Sequence, residues 1–310
     1  MLFYFLKKLL YLGITFFLII TATFFLMKAV PGDPFTDEKA VPKEILKNLY
    51  KHYGLDDPLS EQYVKYVYSV LKGDLGPSFK YKGRTVNAII KESFPISFIL
   101  GMEALFFSIS MGIILGAIAA LKQNQWQDYT ASILAIVGIS VPSFIMASFL
   151  QYIFAIQLEL FPVARWGSLS HSILPALSLS ALPTAYITRL TRSNMLEILQ
   201  QEYIKTAKAK GLNAWTIITR HALRNALLPV ITFIGQLLAS ILAGSFVVEK
   251  IFGIPGLGQW MVMSITNRDY TVIMGTTLFY ASILILAIFF IDIAYSLIDP
   301  RIKLGRSKSS

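Results

Sequence analysis

The chain has 310 residues, of which 55% are hydrophobic, and its mean hydropathy is +0.60. A soluble domain of this length is less apolar, so the composition indicates a protein whose solvent is a lipid bilayer. The net charge of +10 does not indicate nucleic-acid binding, because the basic residues flank apolar segments rather than gather on a soluble domain with interleaved aromatic residues. The absence of cysteine excludes disulfides, thiolate metal sites and a cysteine nucleophile.

The first apolar segment covers residues 9–30 and follows Lys7 and Lys8, as the apolar region of a signal peptide would. A signal peptide has an apolar region of roughly 7 to 15 residues followed by a small-residue cleavage pattern. This segment is longer and lacks that pattern. We therefore predict a retained membrane span, since about 20 apolar residues cross the hydrocarbon core.

The next segment, residues 31–94, is polar enough to lie outside the membrane and has helical patterns of its own. Apolar residues recur at helical spacing before Gly54, and Asp57 with Pro58 can open a second helix that ends at Gly73. We predict two or three short helices, which serve either as a packing cap on the outer membrane face or as a contact for an external partner. The apolar face of the second helix is formed by Tyr63, Val67, Val70 and Leu71.

Five further apolar segments are long enough to span a membrane, which makes the predicted fold all-α with six transmembrane helices. The fourth span contains Pro175, Pro183 and several hydroxyl groups, so it needs protein neighbours rather than lipid alone. The five segments are residues 96–121, 130–156, 173–190, 227–248 and 272–298.

The charges flanking these spans predict their orientation. The connections on one side hold 14 lysines and arginines, whereas the short connections on the other side hold three, namely Arg165, Lys250 and Arg268. The positive-inside rule places the richer side in the cytoplasm, and an even number of spans puts both termini there. Residues 31–94 form too long a loop for its charge to report orientation, and the alternation of spans places that loop outside.

The sequence contains no pattern that indicates catalysis or cofactor binding. A phosphate-binding GxxxxGK[ST] motif is absent, and the cluster FGIPGLGQW lacks the strand–turn–helix context of a dinucleotide loop. We defend no serine or carboxylate constellation as catalytic, and we expect no metal site. The three histidines lie on different loops without metal-ligand spacing: His52, His171 and His221.

The same glycine-rich cluster lies just outside the predicted fifth span. Glycine and proline there permit a re-entrant turn that lines or closes the outer mouth of a path, and the alternative is a tight connecting loop. The residues that we assign to this outer-gate loop are Gly253, Pro255, Gly256 and Gly258.

Two carboxylates lie within apolar segments, Glu103 in the second predicted span and Asp292 in the sixth. Charged groups at such positions are costly and indicate a function by default. In a structural role, Glu103 hydrogen-bonds a neighbouring helix and Asp292 reaches water near the cytoplasmic end. In a functional role, they lie on a substrate path or relay protons, and if both relay protons the chain would be a self-sufficient secondary transporter.

A basic segment, residues 205–229, separates the fourth and fifth predicted spans. An amphipathic helix that continues from the fourth span is predicted by the helical spacing of Met195, Leu196, Leu199, Tyr203 and Ala207. Gly211 can adopt the left-handed conformation of a helix end, and Asn213 can cap the following helix. One interpretation of this hairpin is an interfacial element that meets anionic lipid headgroups. The apolar face of the second helix is predicted to contain Trp215, Ile218, Ala222 and Leu223.

The stretches EYIKTAKAKGL and RHALRNALLP resemble the EAA loop of binding-protein-dependent ABC importer permeases, in the form found in the peptide and nickel branch. Lys205 and Thr206 occupy the positions of the Glu and the first Ala in the family's EAA pattern. The spacing from Gly211 to Pro229 is also longer than is usual in the family. The resemblance extends over most of the chain, through VPGDPF, GDLGPSF, SVPSF, FPVARWGS, VVEKIFGIPGLGQW and DPRI, which are similar to the B-type permease of oligopeptide and dipeptide importers.

This resemblance implies the fold of a type I ABC importer permease in a bacterial inner membrane, with a helical extracytoplasmic insertion. It implies five partners: a homologous permease, two ATPase subunits that bind the ATP, an external binding protein and a peptide substrate. The chain itself would hold no cofactor. The implied domains are an N-terminal region (1–94), a permease core (95–300) with a cytoplasmic coupling loop (191–226), and a tail (301–310).

The resemblance also implies that the corner at Gly211 docks on an ATPase subunit and moves with it. A secondary transporter and a membrane-embedded assembly protein are the competing functional classes, and an inverted repeat, which would favour the former, is not visible. The motifs are shared by importers of dipeptides, oligopeptides, glutathione and nickel. The predicted ATPase-coupling residues are Ala207, Lys208, Ala209, Lys210, Gly211, Leu212 and Ala214.

Overall fold

The computed structural model of the protein describes residues 2–30, 35, 43–242 and 246–298. These residues form α-helices, two π-helical segments and one isolated antiparallel bridge, between Pro77 and Thr85. The all-α prediction is confirmed. The helices are α1 (Leu2–Ala29), α2 (Lys43–His52), α3 (Leu59–Leu71), α4 (Val86–Leu121), α5 (Trp126–Ser140), α6 (Ser143–Leu150), α7 (Leu169–Leu199), α8 (Glu202–Ala209), α9 (Ala214–Thr216), α10 (Arg224–Leu242), α11 (Phe246–Ile251), α12 (Leu257–Thr266) and α13 (Tyr270–Ile298), and the π-helical segments are Gln151–Gln157 and Ile217–Leu223.

The chain divides into two compact units, one made of residues 1–96 and 256–285, the other of residues 97–255 and 286–310. The first unit contains the two short helices predicted for the outer segment, α2 and α3. Gly54 and Gly73 adopt left-handed backbone with φ of +65° and +77°, and Pro58 precedes α3. The predicted face of α3 is correct at Val70, which is buried, and wrong at Leu71, which is 73% exposed.

The core of the first unit joins segments that are far apart in the sequence. Val86 and Ile89 of α4 pack with Leu257 of α12 and Val272 of α13. The approach of α4 to α13 is so close that a Cβ on Gly275 would lie 2.5 Å from a methyl carbon of Val86. This position therefore has no room for a side chain.

The second unit is organised around α7, against which α5, α6 and α10 pack. Pro175 and Pro183 lie inside α7 and are buried, so this helix has the protein neighbours that its prolines were predicted to need. Within the same helix the Ser178 hydroxyl donates to the carbonyl oxygen of Pro175 at 2.7 Å.

The third predicted span, residues 130–156, is not one straight helix. α5 ends at Ser140 and α6 begins at Ser143, and the two helical segments meet at an angle of 112°. Val141 between them has extended backbone, with φ of −95° and ψ of 118°. This is the conformation that a residue before proline favours, so Pro142 accounts for the break.

Among the described residues, three single helices are long and apolar enough to cross a membrane: α1, α4 and α13. A fourth span is obtained if the bent pair of α5 and α6 with its π-helical continuation counts as one. α7 and α10 are not among them, so the predicted number of six spans stays a prediction. The protein has several membrane-spanning helices in either case.

Candidate functional site

The basic segment between α7 and α10 folds into short helices joined by a corner at Gly211. α8 precedes the corner, and Gly211 adopts the predicted left-handed conformation, with φ of +72°. The Asn213 side chain accepts a hydrogen bond from the backbone N–H of Trp215 at 2.9 Å and so caps the next helix. Both predictions for this corner are confirmed.

The helices around the corner differ from the predicted hairpin in two places. α7 ends at Leu199, and Gln201 has extended backbone with φ of −69° and ψ of 149°, so α8 is a separate helix and not a continuation of the fourth span. After Asn213, only Ala214–Thr216 is α-helical, and Ile217–Leu223 is a π-helix. Periodicity read at 3.6 residues per turn fails in a π-helix, whose hydrogen bonds join residues five apart.

A buried cluster fastens the corner to the end of α7. It contains Met195 of α7, Ile204 and Ala207 of α8, and Ile217 and Ala222 of the π-helix. Ala120 of α4 and Ala226 of α10 belong to the same cluster, so five elements meet there. The predicted apolar faces are therefore correct at Met195, Ala207 and Ala222. They are wrong at Trp215, which is 71% exposed, and at Tyr203, which is 41% exposed.

Most of the predicted coupling residues lie on the exposed side of the corner. Ala207 is the exception, because it is 6% exposed and packs in the buried cluster. Trp215 was assigned to the inside from its spacing and lies outside, where it adds a large apolar side chain. We call the exposed residues of this region the corner surface: Lys208, Ala209, Lys210, Gly211, Leu212, Ala214 and Trp215.

The corner surface combines positive charge, apolar area and open space. Lys208 and Lys210 make no ion pair or hydrogen bond with any described residue, whereas Lys205 pairs with Glu202 at 2.7 Å. A Cβ on Gly211 would meet no atom within 4 Å. Such a surface suits a protein groove with acidic and apolar walls, because its lysines pair with no described residue and no side chain projects at the bend.

The predicted outer-gate loop has a left-handed residue at its start. Gly253 is exposed with φ of +60°, and the preceding Phe252 accepts a hydrogen bond through its carbonyl from the N–H of Arg165 at 2.7 Å. Pro255 is exposed as well. Gly256 and Gly258 are buried, Gly256 as the residue that precedes α12.

Of the two predicted intramembrane carboxylates, the structure describes the side chain of one. The Oε2 atom of Glu103 is buried and has no hydrogen-bond partner among the described residues, so the hydrogen bond expected to a neighbouring helix is not formed by that oxygen. Asp292 lies in α13, but its side chain is outside the part of the chain that the structure describes.

Three other acidic residues are buried and fully engaged, and sequence reasoning missed them. Asp128 accepts two hydrogen bonds from the Arg192 guanidinium, at 2.6 and 2.8 Å. Glu249 accepts a hydrogen bond from the Ser97 hydroxyl at 2.7 Å. In the first unit, Asp269 accepts hydrogen bonds from the Ser78 hydroxyl and from the backbone N–H of Phe79. No local sequence pattern indicates these pairs, because the partners lie 64 to 191 residues away.

Two family profiles match this chain and cover most of it. Residues 112–304 match the family described as "Binding-protein-dependent transport system inner membrane component". Residues 1–101 match its N-terminal companion, "Binding-prot-dependent transport system membrane comp, N-term".

Curated relatives match over nearly their whole length. The chain is 52% identical over 303 residues to the dipeptide transport system permease protein DppB of Bacillus subtilis. This alignment covers 98% of each chain. It is 44% identical over 299 residues to the oligopeptide transport system permease protein OppB of Haemophilus influenzae, with 96% of this chain and 98% of the relative covered.

A solved structure shares the fold. A chain of the MetNI methionine ABC transporter in an inward-facing conformation aligns with a TM-score of 0.56 at 18% identity, covering 68% of this chain and 96% of that one. At this level of identity the match concerns the fold alone.

Proposed function

The chain belongs to the family of binding-protein-dependent transport system inner membrane components, and from this premise we propose that it conducts peptides across the bacterial cytoplasmic membrane. As a permease subunit of an ABC importer it works with a partner permease and with ATPase components. Peptide is the proposed substrate because the relatives that match over their full length are named for dipeptide and oligopeptide transport. We propose that an external binding protein delivers the peptide.

The observation that carries the proposal is the geometry of the corner surface. Gly211 combines a left-handed backbone with empty space on its outward side, and beside it lie Lys208 and Lys210, which pair with no described residue. In our proposal an ATPase subunit receives this surface in a groove, with acidic side chains opposite Lys208 and Lys210. Neither of the two lysines has to break an ion pair with a described residue to make the new contact.

The buried cluster beneath the corner gives the mechanism. Ile204 and Ala207 of α8 are packed with Met195 at the end of α7, so a force applied to the corner acts on α7. α7 is in turn packed against α5, α6 and α10, which move with it because close-packed interiors transmit displacement. ATP-driven closure of the ATPase subunits would thus be passed on as a rigid-body movement of helices.

This division of roles leaves the chemistry to the partners. We propose that ATP binds to the ATPase subunits and that this chain holds no cofactor of its own. In our proposal this chain forms one side of a path between the two permeases, and the movement of its helices opens that path to either side of the membrane.

The proposed orientation places the corner surface in the cytoplasm, together with both termini, and α3 outside. The support is the excess of lysine and arginine on one side of the predicted spans. Because the chain has no cysteine, Lys65→Cys and Lys210→Cys each introduce a single thiol. In intact cells an impermeant maleimide should label the first variant and spare the second. Labelling of the second variant would overturn the orientation.

A reconstitution experiment tests the function itself. The chain is incorporated into liposomes with its partner permease, ATPase subunits and binding protein, and uptake of a labelled dipeptide is followed. We expect uptake that requires ATP, the binding protein and all four membrane-associated subunits. Uptake by this chain alone, driven by a proton or sodium gradient, would instead support a secondary transporter.

A further inference from the structure

A cavity of about 460 Å³ opens beside Glu103 on the second unit's part of α4. Three phenylalanines line it, Phe98, Phe106 and Phe107, and Leu169 at the start of α7 contributes to the wall. Among the described residues that line it, Glu103 alone is ionisable. The volume lies in the range of small-ligand sites, roughly 300 to 1,000 Å³.

One oxygen of the carboxylate in this cavity lacks the partners that the buried acids of the same unit have, although Glu103 as a whole is only half-buried. Asp128 is held by Arg192, and Glu249 is held by Ser97. The Oε2 atom of Glu103 is buried without a hydrogen-bond partner among the described residues. A carboxylate removed from water is costly unless a donor or a cation compensates it, so this site is incomplete as it stands.

We propose that this cavity is a subsite for the N-terminal ammonium group of the transported peptide. A carboxylate surrounded by aromatic rings is a chemical match for an organic ammonium ion, because the charge attracts the cation and the ring faces add cation–π attraction. The same site repels a peptide's C-terminal carboxylate, and it therefore orients the peptide.

The N-terminal ammonium group is also a feature by which a permease can recognise peptides of any sequence. Peptides of different sequence have different side chains, but each has an N-terminal amine, which is largely protonated at neutral pH because its pKa is roughly 8. A subsite for this group recognises peptides as a class. The inference rests on the proposed function, since it assigns a part of the substrate to a part of the path.

A single thiol tests the charge preference of the cavity directly. Met102 lines the cavity and is 40% exposed, and the chain has no cysteine, so Met102→Cys introduces one thiol into it. In the assembled transporter, the rates of modification by the cationic reagent 2-aminoethyl methanethiosulfonate and by neutral methyl methanethiosulfonate are compared by mass spectrometry of this chain. The same ratio is measured with Glu103→Gln added.

We expect Glu103 to raise the ratio of cationic to neutral rates by about tenfold, because a charge-assisted interaction of this kind corresponds to at least one decade in affinity. Saturating dipeptide, supplied with the binding protein and ATP, should slow the cationic reaction. Equal ratios with and without Glu103→Gln, or no protection by the dipeptide, would overturn the subsite. A thiol that reacts in the isolated chain but with neither reagent in the complex would also overturn it, and would assign this face to the partner permease.

An uptake measurement separates failure of the subsite from failure of the proposed function. Glu103→Gln should raise the KM for dipeptide uptake about tenfold or more while the complex assembles normally and keeps its peptide-independent ATP turnover. Glu92→Gln, which removes an exposed carboxylate from the same helix, is the matched control and should behave as the native chain. If the native complex takes up no peptide, the proposed function fails; if it does and Glu103→Gln leaves the KM unchanged, only the subsite fails.

Discussion

Glycine is used in opposite ways in the helix packing around α7 and at the corner below it. A Cβ on Gly116 of α4 would lie 2.6 Å from the carbonyl oxygen of Thr188, and one on Gly138 of α5 would lie 2.7 Å from that of Ala181. At Gly211 a Cβ would meet nothing within 4 Å, but φ is +72°. Around α7 glycine is required by space, and at the corner it is required by backbone conformation.

This difference separates a closely packed part of the chain from a part that we propose contacts a partner. Helices whose backbones touch through glycine move together, because no side chain between them can rearrange. A glycine with an empty outward side leaves its surface free for another protein. The comparison predicts that substitutions around α7 destroy the fold, whereas substitutions at the corner spare the fold and impair coupling.

The largest effect is expected for Gly116→Leu. The new side chain would meet the backbone of α7, which cannot move aside as a flexible side chain can, so α4 and α7 must separate. We expect no monodisperse folded protein by size-exclusion chromatography in detergent. Gly13→Leu on α1 is the control, because a Cβ there meets nothing within 4 Å, and it should purify normally. A folded, active Gly116→Leu protein would contradict the tight contact.

The next largest effect is expected for Arg192→Ala. This change leaves the Asp128 carboxylate, whose side chain is 5% exposed, without its bidentate partner. Removing one member of a buried pair costs about 3 kcal/mol, which should lower the midpoint of thermal unfolding in nanodiscs by several degrees. The double change Asp128→Leu with Arg192→Met should recover most of the loss. A single variant as stable as the native chain would show that the pair contributes no stability.

A smaller effect on folding is expected for Gly253→Val in the outer-gate loop. There is room for a side chain, since the nearest atom would be the Arg165 nitrogen at 3.8 Å, but φ of +60° disfavours a β-branched residue. We expect normal assembly with reduced peptide uptake if the loop lines the outer mouth. Gly253→Asn should reduce peptide uptake less, because asparagine tolerates this backbone conformation better than valine does. Native uptake by the valine variant would favour a plain connecting loop.

The features that sequence reasoning predicted correctly are local. The corner needs a left-handed residue followed by a cap, and Gly211 and Asn213 provide both within three positions of the chain. The helices α2 and α3 likewise have their boundaries at Gly54, Pro58 and Gly73. These signals depend on the backbone preferences of single residues, so they are readable without the fold.

The features that were missed depend on distant partners or on unusual helix geometry. Asp269 and Ser78 are 191 positions apart, and nothing in either neighbourhood indicates that they meet. Trp215 was placed on the inner face because α-helical spacing was assumed just before a π-helix begins. The 112° bend at Pro142 was not predicted, although the proline was noted within its motif, because uniform apolarity hides a break within a span.

The central claim is that the corner surface couples this chain to an ATPase subunit, and Gly211→Asp tests it most directly. Gly83→Asp is the matched control, since Gly83 has a φ of +76° and equally open surroundings in the first unit. Both variants carry the same backbone strain and the same added charge. The measurement is co-purification of the ATPase subunits with the chain, together with peptide-dependent ATP turnover. We expect Gly211→Asp to insert into the membrane normally but to lose either ATPase association or the peptide dependence of ATP turnover. Gly83→Asp should keep both. Native values of both quantities for Gly211→Asp would contradict the coupling role and favour a hairpin that only contacts lipid headgroups.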